Sequence, residues 1–323
     1  MARKQIIYLD QNKWIEIAQA VDNPSQFPEM FSLLEQLIAA LDRDSIVIPL
    51  SSANVYETHK INDWARRSHL AWVQSTLSGG RVFRGRAAVL RVQITEFLSK
   101  ALQIPFVSPL ADWFLSDNPF EFAGEGLEQT MGQPIPSWLD STIKQNPAAV
   151  LNRFLTDQPE ERRRASVQKW SAESLELMSR MNARRALVQA EPKSMQRRAY
   201  CATLIIENLD FIFEVATDAG IPVSSTGDLS GSQWRAMIKQ VGLFDVEVAL
   251  ATTIEFEDRT IDENDLRDVH SYTTAICFSD VVVGEKATIN RAKQAKLGAR
   301  HSVKLLTSLE DLSALLIQEL QVS

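Results

Sequence analysis

Cysteine is nearly absent from this chain: there are two in 323 residues, Cys201 and Cys277, and their spacing is not that of metal ligands. So small a number argues against a disulfide framework and fits a reducing compartment. Glycine and proline number 12 each, too few for a fibrous or low-complexity chain. No internal repeat is visible. No apolar run approaches the roughly 20 residues that a membrane helix needs. The basic opening MARKQ is followed by only IIYL before Asp10, too little apolar sequence for a secretory signal. The sequence has no Ser–His–Asp order, no glycine-rich phosphate loop and no Cys/His zinc spacing. These absences lead us to expect a soluble, cytoplasmic protein without a membrane partner.

Hydrophobic residues make up 45% of the chain, enough for one large core or two modest ones. The formal net charge is −7, which disfavours a general nucleic-acid binder, but the charge is unevenly spread. Between Arg162 and Arg198, ten Lys/Arg face three acids, a window of +7. Between Asp245 and Asp268, nine acids face two arginines, a window of −7. A basic middle beside an acidic stretch suits an enzyme that grips a polyanion with one part and holds cations with another. The plainer alternative is a pair of solvated helix faces.

The two ends of the chain share one type of text. Residues 6–9 and 45–50 are compact apolar runs of strand length, and 14–21, 29–44 and 51–77 have helical spacing. Near the other end, 280–284 and 302–307 read as strands and 262–279, 285–298 and 308–320 as helices. Near-continuous apolar strands alternating with helices predict an α/β fold, a parallel sheet flanked by helices. Residues 87–102, 173–190, 197–220 and 232–256 are helical in pattern, and the proline-bearing stretch 105–148 reads as an irregular connection. The simplest assembly is a discontinuous α/β domain of residues 1–83 and 257–323, with 84–256 as an inserted all-helical region.

Parallel sheets set their ligands beyond the carboxyl ends of the strands. Asp10 ends the first strand, Glu57 lies two turns into the helix after the second, and Glu285 follows strand 280–284. Asp265 and Asp268 are spaced i, i+3, so both carboxylates can point the same way. Taken singly, Asp10 is a helix cap, Glu57 a surface residue, and the Asp265/Asp268 pair an acidic first turn favoured by the helix dipole. Taken together, they would repel and raise one another's pKa unless a hard cation such as Mg²⁺ or Mn²⁺ joined them.

The stretches YLDQN, PLSSANVYE and NDLRDVHSYTTAICFSDVVVGEK resemble the three motif blocks of PIN-like nuclease domains. The resemblance covers about 60 residues at each end. Its metal-binding acids fall on Asp10, Glu57, Asp268 and Glu285, with Asp265 as a fifth candidate and Asn12 and Asn54 as polar supports. It implies metal-dependent hydrolysis of a phosphodiester, usually in RNA, as in toxins and defence effectors. Single-stranded DNA is an alternative substrate, an inhibitor or partner protein a candidate companion, and a homo-oligomer is compatible. Arg162, Arg163, Arg164, Arg184, Arg185, Arg197 and Arg198 are the candidate phosphate-binding residues, and Trp170 is a candidate for base stacking with a core position as its alternative. His270 reads as packing or capping, with a substrate role as its alternative. A catalytically silent binding module and a structure-specific DNA nuclease are the competing readings.

Overall fold

A computed structural model describes residues 3–123 and 135–322. Its centre is a four-stranded parallel sheet in the order β2-β1-β5-β6, formed by Gln5–Leu9 (β1), Ile46–Val47 (β2), Val281–Val283 (β5) and Lys304–Leu306 (β6). β1 and β5 are the inner strands, paired Ile7 to Val281, Tyr8 to Val282 and Leu9 to Val283. Both chain ends therefore meet in one sheet. Strands covered on both faces read as unbroken apolar runs because each alternate side chain finds a core.

The two faces are distinct. Ile7, Leu9, Ile48, Val281 and Val283 join the helices Gln11–Asp22 (α1), Pro28–Asp42 (α2), Trp64–Ser78 (α4) and Leu309–Val322 (α16) in one buried cluster. Trp14 is fully buried there and anchors α1 to the sheet. Ile6, Tyr8, Val47 and Val282 join a second cluster on the opposite face. That face is covered by Arg86–Ala101 (α5), Gly242–Glu255 (α12) and Glu263–Phe278 (α13). Residues 84–256 thus share a core with both chain ends.

Several elements are shorter than their sequence pattern. The helical text of 51–77 is two helices, Ser52–Lys60 (α3) and α4, because Asp63 caps a new start by accepting from the Arg66 N–H. The text of 197–220 divides at Asn208 into Lys193–Glu207 (α9) and Leu209–Asp218 (α10). The text of 232–256 divides into Gly231–Gln240 (α11) and α12. That of 285–298 divides into Lys286–Gln294 (α14) and the short Leu297–Arg300 (α15). The stretch 105–148 holds the helix Ser137–Gln145 (α6) and the start of Pro147–Thr156 (α7), and Glu160–Val188 (α8) follows. Val82–Phe83 (β3) and Leu115–Ser116 (β4) form a small antiparallel pair, so the middle region is not purely helical. Part of 105–148, residues 124–134, and the Trp170 side chain lie outside the described residues.

Candidate active site

Asp10 and Glu285 take equivalent places on neighbouring strands. Each is the N-cap residue of the helix that follows, of α1 after β1 and of α14 after β5. Neither makes a side-chain capping hydrogen bond. Both carboxylates therefore sit at the positive ends of two helices without being consumed by them. Glu57 comes from α3 and Asp268 from α13, and all four acids line one depression of about 370 Å³. Gln11, Asn12, Lys60, Asn264 and Arg267 complete its wall with the apolar Ile15 and Ile61.

Burial and mutual repulsion dominate the electrostatics. Burial pushes the Asp10 carboxyl up to about 6; the Glu285 charge adds to this, while the Gln11 N–H, the Tyr272 hydroxyl and Lys13 work against it. Burial and the Asp10 charge raise Glu57 to about 7 against the pull of Arg267 and Lys60. Asp268 is likewise raised to about 7, by burial first and by Asp10 and Glu285 next, while the Thr288 hydrogen bond and Arg291 oppose the rise. The neighbouring cations leave this negative charge only partly balanced.

The fixing of each acid is specific. Thr288 on α14 donates to Asp268 Oδ2, and Asn12 donates to Glu285 Oε1. The Tyr272 hydroxyl accepts from the Glu285 backbone N–H at 2.9 Å and works against the rise of the Asp10 pKa. Tyr272 and Thr288 escape a reading of the sequence, although Tyr272 stands one turn beyond Asp268 on α13. Asn54 does not reach the acids. It is buried below them, donating to the Leu9 carbonyl at 3.3 Å and to Gln11 Oε1 at 3.4 Å. Gln11, Thr58 and Gln74 close a ring of hydrogen bonds of 2.8 to 3.2 Å there, tying the end of β1 to α3 and α4.

The donor set is all oxygen and four acids strong, which is the chemistry of a hard divalent cation. Among the described residues, however, no three His, Cys, Asp or Glu side chains stand close enough together to hold a metal ion as they are placed. The residues fit such an ion in charge and donor type, with Asp268 and Glu285 turned toward Thr288 and Asn12.

No family model, curated protein or solved structure matches the chain. Any functional reading rests on the geometry itself.

Asp265 lies apart from the four. Arg259 donates to both of its oxygens, Arg291 pairs with it at 3.4 Å, and the Asp262 N–H bonds it at 3.0 Å. Burial alone would raise this carboxyl, but the Arg259 hydrogen bonds and the two guanidinium charges hold it below the usual value. The helical i, i+3 spacing is real, yet the arginine fork decides where the carboxylate points.

The basic window also divides. Arg163 is buried and donates to the His59 carbonyl at the end of α3. Arg184 pairs with buried Glu255 and lies 4.2 Å above the Tyr200 ring. Arg185 donates to the Arg259 carbonyl at 2.6 Å and to that of Glu257. Arg164 pairs with Glu160 one turn away, and Arg162 is exposed. Arg197 and Arg198 line a different and larger depression of about 870 Å³ between α9 and α11, without a carboxylate in its wall. The seven arginines form no single surface. His270 lines a third depression with Ser51, Arg84 and Arg86, beyond α3.

Proposed function

We propose that the chain is a Mg²⁺- or Mn²⁺-dependent endoribonuclease with a PIN-like catalytic domain. The observation that carries this reading is the convergence of Asp10, Glu57, Asp268 and Glu285 on one water-accessible depression at the carboxyl ends of parallel strands. These four residues would hold the cation. When bound, it supplies an activated water at neutral pH and neutralises charge on the phosphate oxygens. The protein's own part is positional. Tyr272 holds the Glu285 backbone N–H, Thr288 orients Asp268, and Asn12 orients the Glu285 carboxylate. Lys60, on the rim, offers a positive charge to a phosphate of the substrate. Among the described residues no helix is long and apolar enough to cross a membrane.

A binding module without cleavage is the second reading, and one observation favours it: no three of the acids are close enough to share an ion as placed. Incubating the full chain with labelled single-stranded RNA and DNA in Mg²⁺ or Mn²⁺ separates the readings. The nuclease reading expects cation-dependent RNA cleavage that Asp10→Asn abolishes and a chelator stops. Cleavage of DNA alone would move the assignment to a DNA nuclease. Absence of cleavage of either strand with either ion would favour the binding module.

A further inference from the structure

The carboxylate depression does not end at its acids. Ile15 of α1 and Ile61 after α3 line both it and a second depression of about 350 Å³, so the two adjoin at these side chains as the two parts of one groove-like surface. The second half runs between α1 and α4, past Arg66 and His69. His69 Nε2 donates to the Ala18 carbonyl at 2.8 Å and lies 3.3 Å from the Asp22 carboxylate, which fixes the ring. Trp72, one turn further along the same face of α4, is stacked with that ring at 26° and a centroid distance of 6.4 Å. Trp72 is 52% exposed and stands beside the second depression, joined to its wall through His69. Among the described residues neither the Lys60 nor the Arg66 side chain makes an ion pair within 4 Å, although the Lys60 charge acts on Glu57, and they stand at the two parts of the groove.

A fixed aromatic pair, an apolar floor and cations outside close ion pairs are what a single strand needs: faces for its bases and charges for its phosphates. We infer that this groove binds the single-stranded RNA segment flanking the scissile phosphate, an inference that rests on the nuclease reading and extends it. Bases stack on the His69–Trp72 pair and on Ile15 and Ile61. Phosphates go to Lys60 and Arg66. A duplex cannot offer unstacked bases to such a surface, so the groove selects single strands.

The test measures binding apart from cleavage. A fluorescein-labelled single-stranded RNA of about ten nucleotides is titrated with the full chain in EDTA, followed by anisotropy at several salt concentrations. Trp72→Ala is expected to weaken binding about tenfold, with Trp72→Phe restoring much of it. Arg66→Ala is expected to flatten the slope of log K against log salt by about 0.7, as the loss of one phosphate contact does. Trp138→Ala, which removes an exposed tryptophan on α6 that is not stacked on His69, should bind as wild type. In Mn²⁺, Trp72→Ala should raise KM more than it lowers kcat. If wild type cleaves RNA while Trp72→Ala and Arg66→Ala match it in affinity, salt slope and KM, the groove assignment falls and the nuclease reading stands. If Trp72→Ala loses affinity but wild type cleaves nothing, the groove holds and the nuclease reading falls. Absence of binding by wild type overturns the groove assignment outright.

Discussion

The Tyr272 hydroxyl accepts a 2.9 Å hydrogen bond from the Glu285 backbone N–H. This bond joins α13, which carries Asp268, to the end of β5, which carries Glu285. The same hydroxyl works against the rise of the Asp10 pKa, so one buried group acts at the ends of both inner strands. Tyr272→Phe should keep the fold and lower kcat or cation affinity by about 10- to 100-fold, the usual effect of removing a ligand's support. Steady-state kinetics and cation titration of the variant check this; unchanged values for both would remove Tyr272 from the site.

Gly284 makes this arrangement sterically possible. A Cβ at that position would lie 2.0 Å from the Tyr272 hydroxyl oxygen and 2.5 Å from its ring. Gly284→Ala should therefore cost about 1–3 kcal/mol of stability, as overpacking does. Because ring atoms remain in the way, adding Tyr272→Phe should recover only part of that loss. Denaturant unfolding of both variants is the measurement, and full stability in Gly284→Ala would contradict it.

The acids should make stability fall with rising pH when no cation is present. Asp10 is raised to about 6, and Glu57 and Asp268 to about 7. In the unfolded chain such groups titrate near 4. Their folded values are the higher, so their stabilising contribution is complete below about pH 4 and lost as pH climbs through about 7. In EDTA, Asp268→Asn should unfold less readily than wild type at about pH 8, by on the order of 1 kcal/mol after allowing for the open rim. Mg²⁺ should favour wild type instead. Identical Tm profiles for wild type and variant between about pH 5 and 8 would count against the electrostatic account.

Arg184 and Glu255 offer a test away from the site. Glu255 is 3% exposed, and burial raises its carboxyl despite the Arg184 bond and charge. Glu255→Ala leaves a buried guanidinium unpaired and should cost about 3 kcal/mol, whereas pairing Glu255→Leu with Arg184→Met should cost less. Equal losses in the single and double variants would show that the pair is not coupled.

Which parts of this were legible in the sequence follows from how local each signal is. Asp10 and Glu285 stand directly after apolar strands, and strand ends are where a parallel sheet exposes its ligands. The polar positions that orient the acids were not legible. Thr288 meets Asp268 across 20 residues and Tyr272 meets Glu285 across 13, pairings that exist only once α13 and α14 are docked. Asp265 shows the limit of helical spacing, since Arg259 captures it. The two charge windows are plain in the sequence, but their use is tertiary: Arg184 of the basic window is spent on Glu255 of the acidic one. β3 and β4 have two residues each, too few for a period to show.

Mn²⁺ binding to the chelator-treated full chain, followed by calorimetry or electron paramagnetic resonance at about pH 7.5, tests the central claim most directly. The carboxylates of Asp10, Glu57, Asp268 and Glu285 are predicted to take up the ion in wild type, and Asp10→Asn combined with Asp268→Asn to lose most of that affinity. Wild type that takes up no Mn²⁺, or a double variant that binds it equally well, would contradict the assignment.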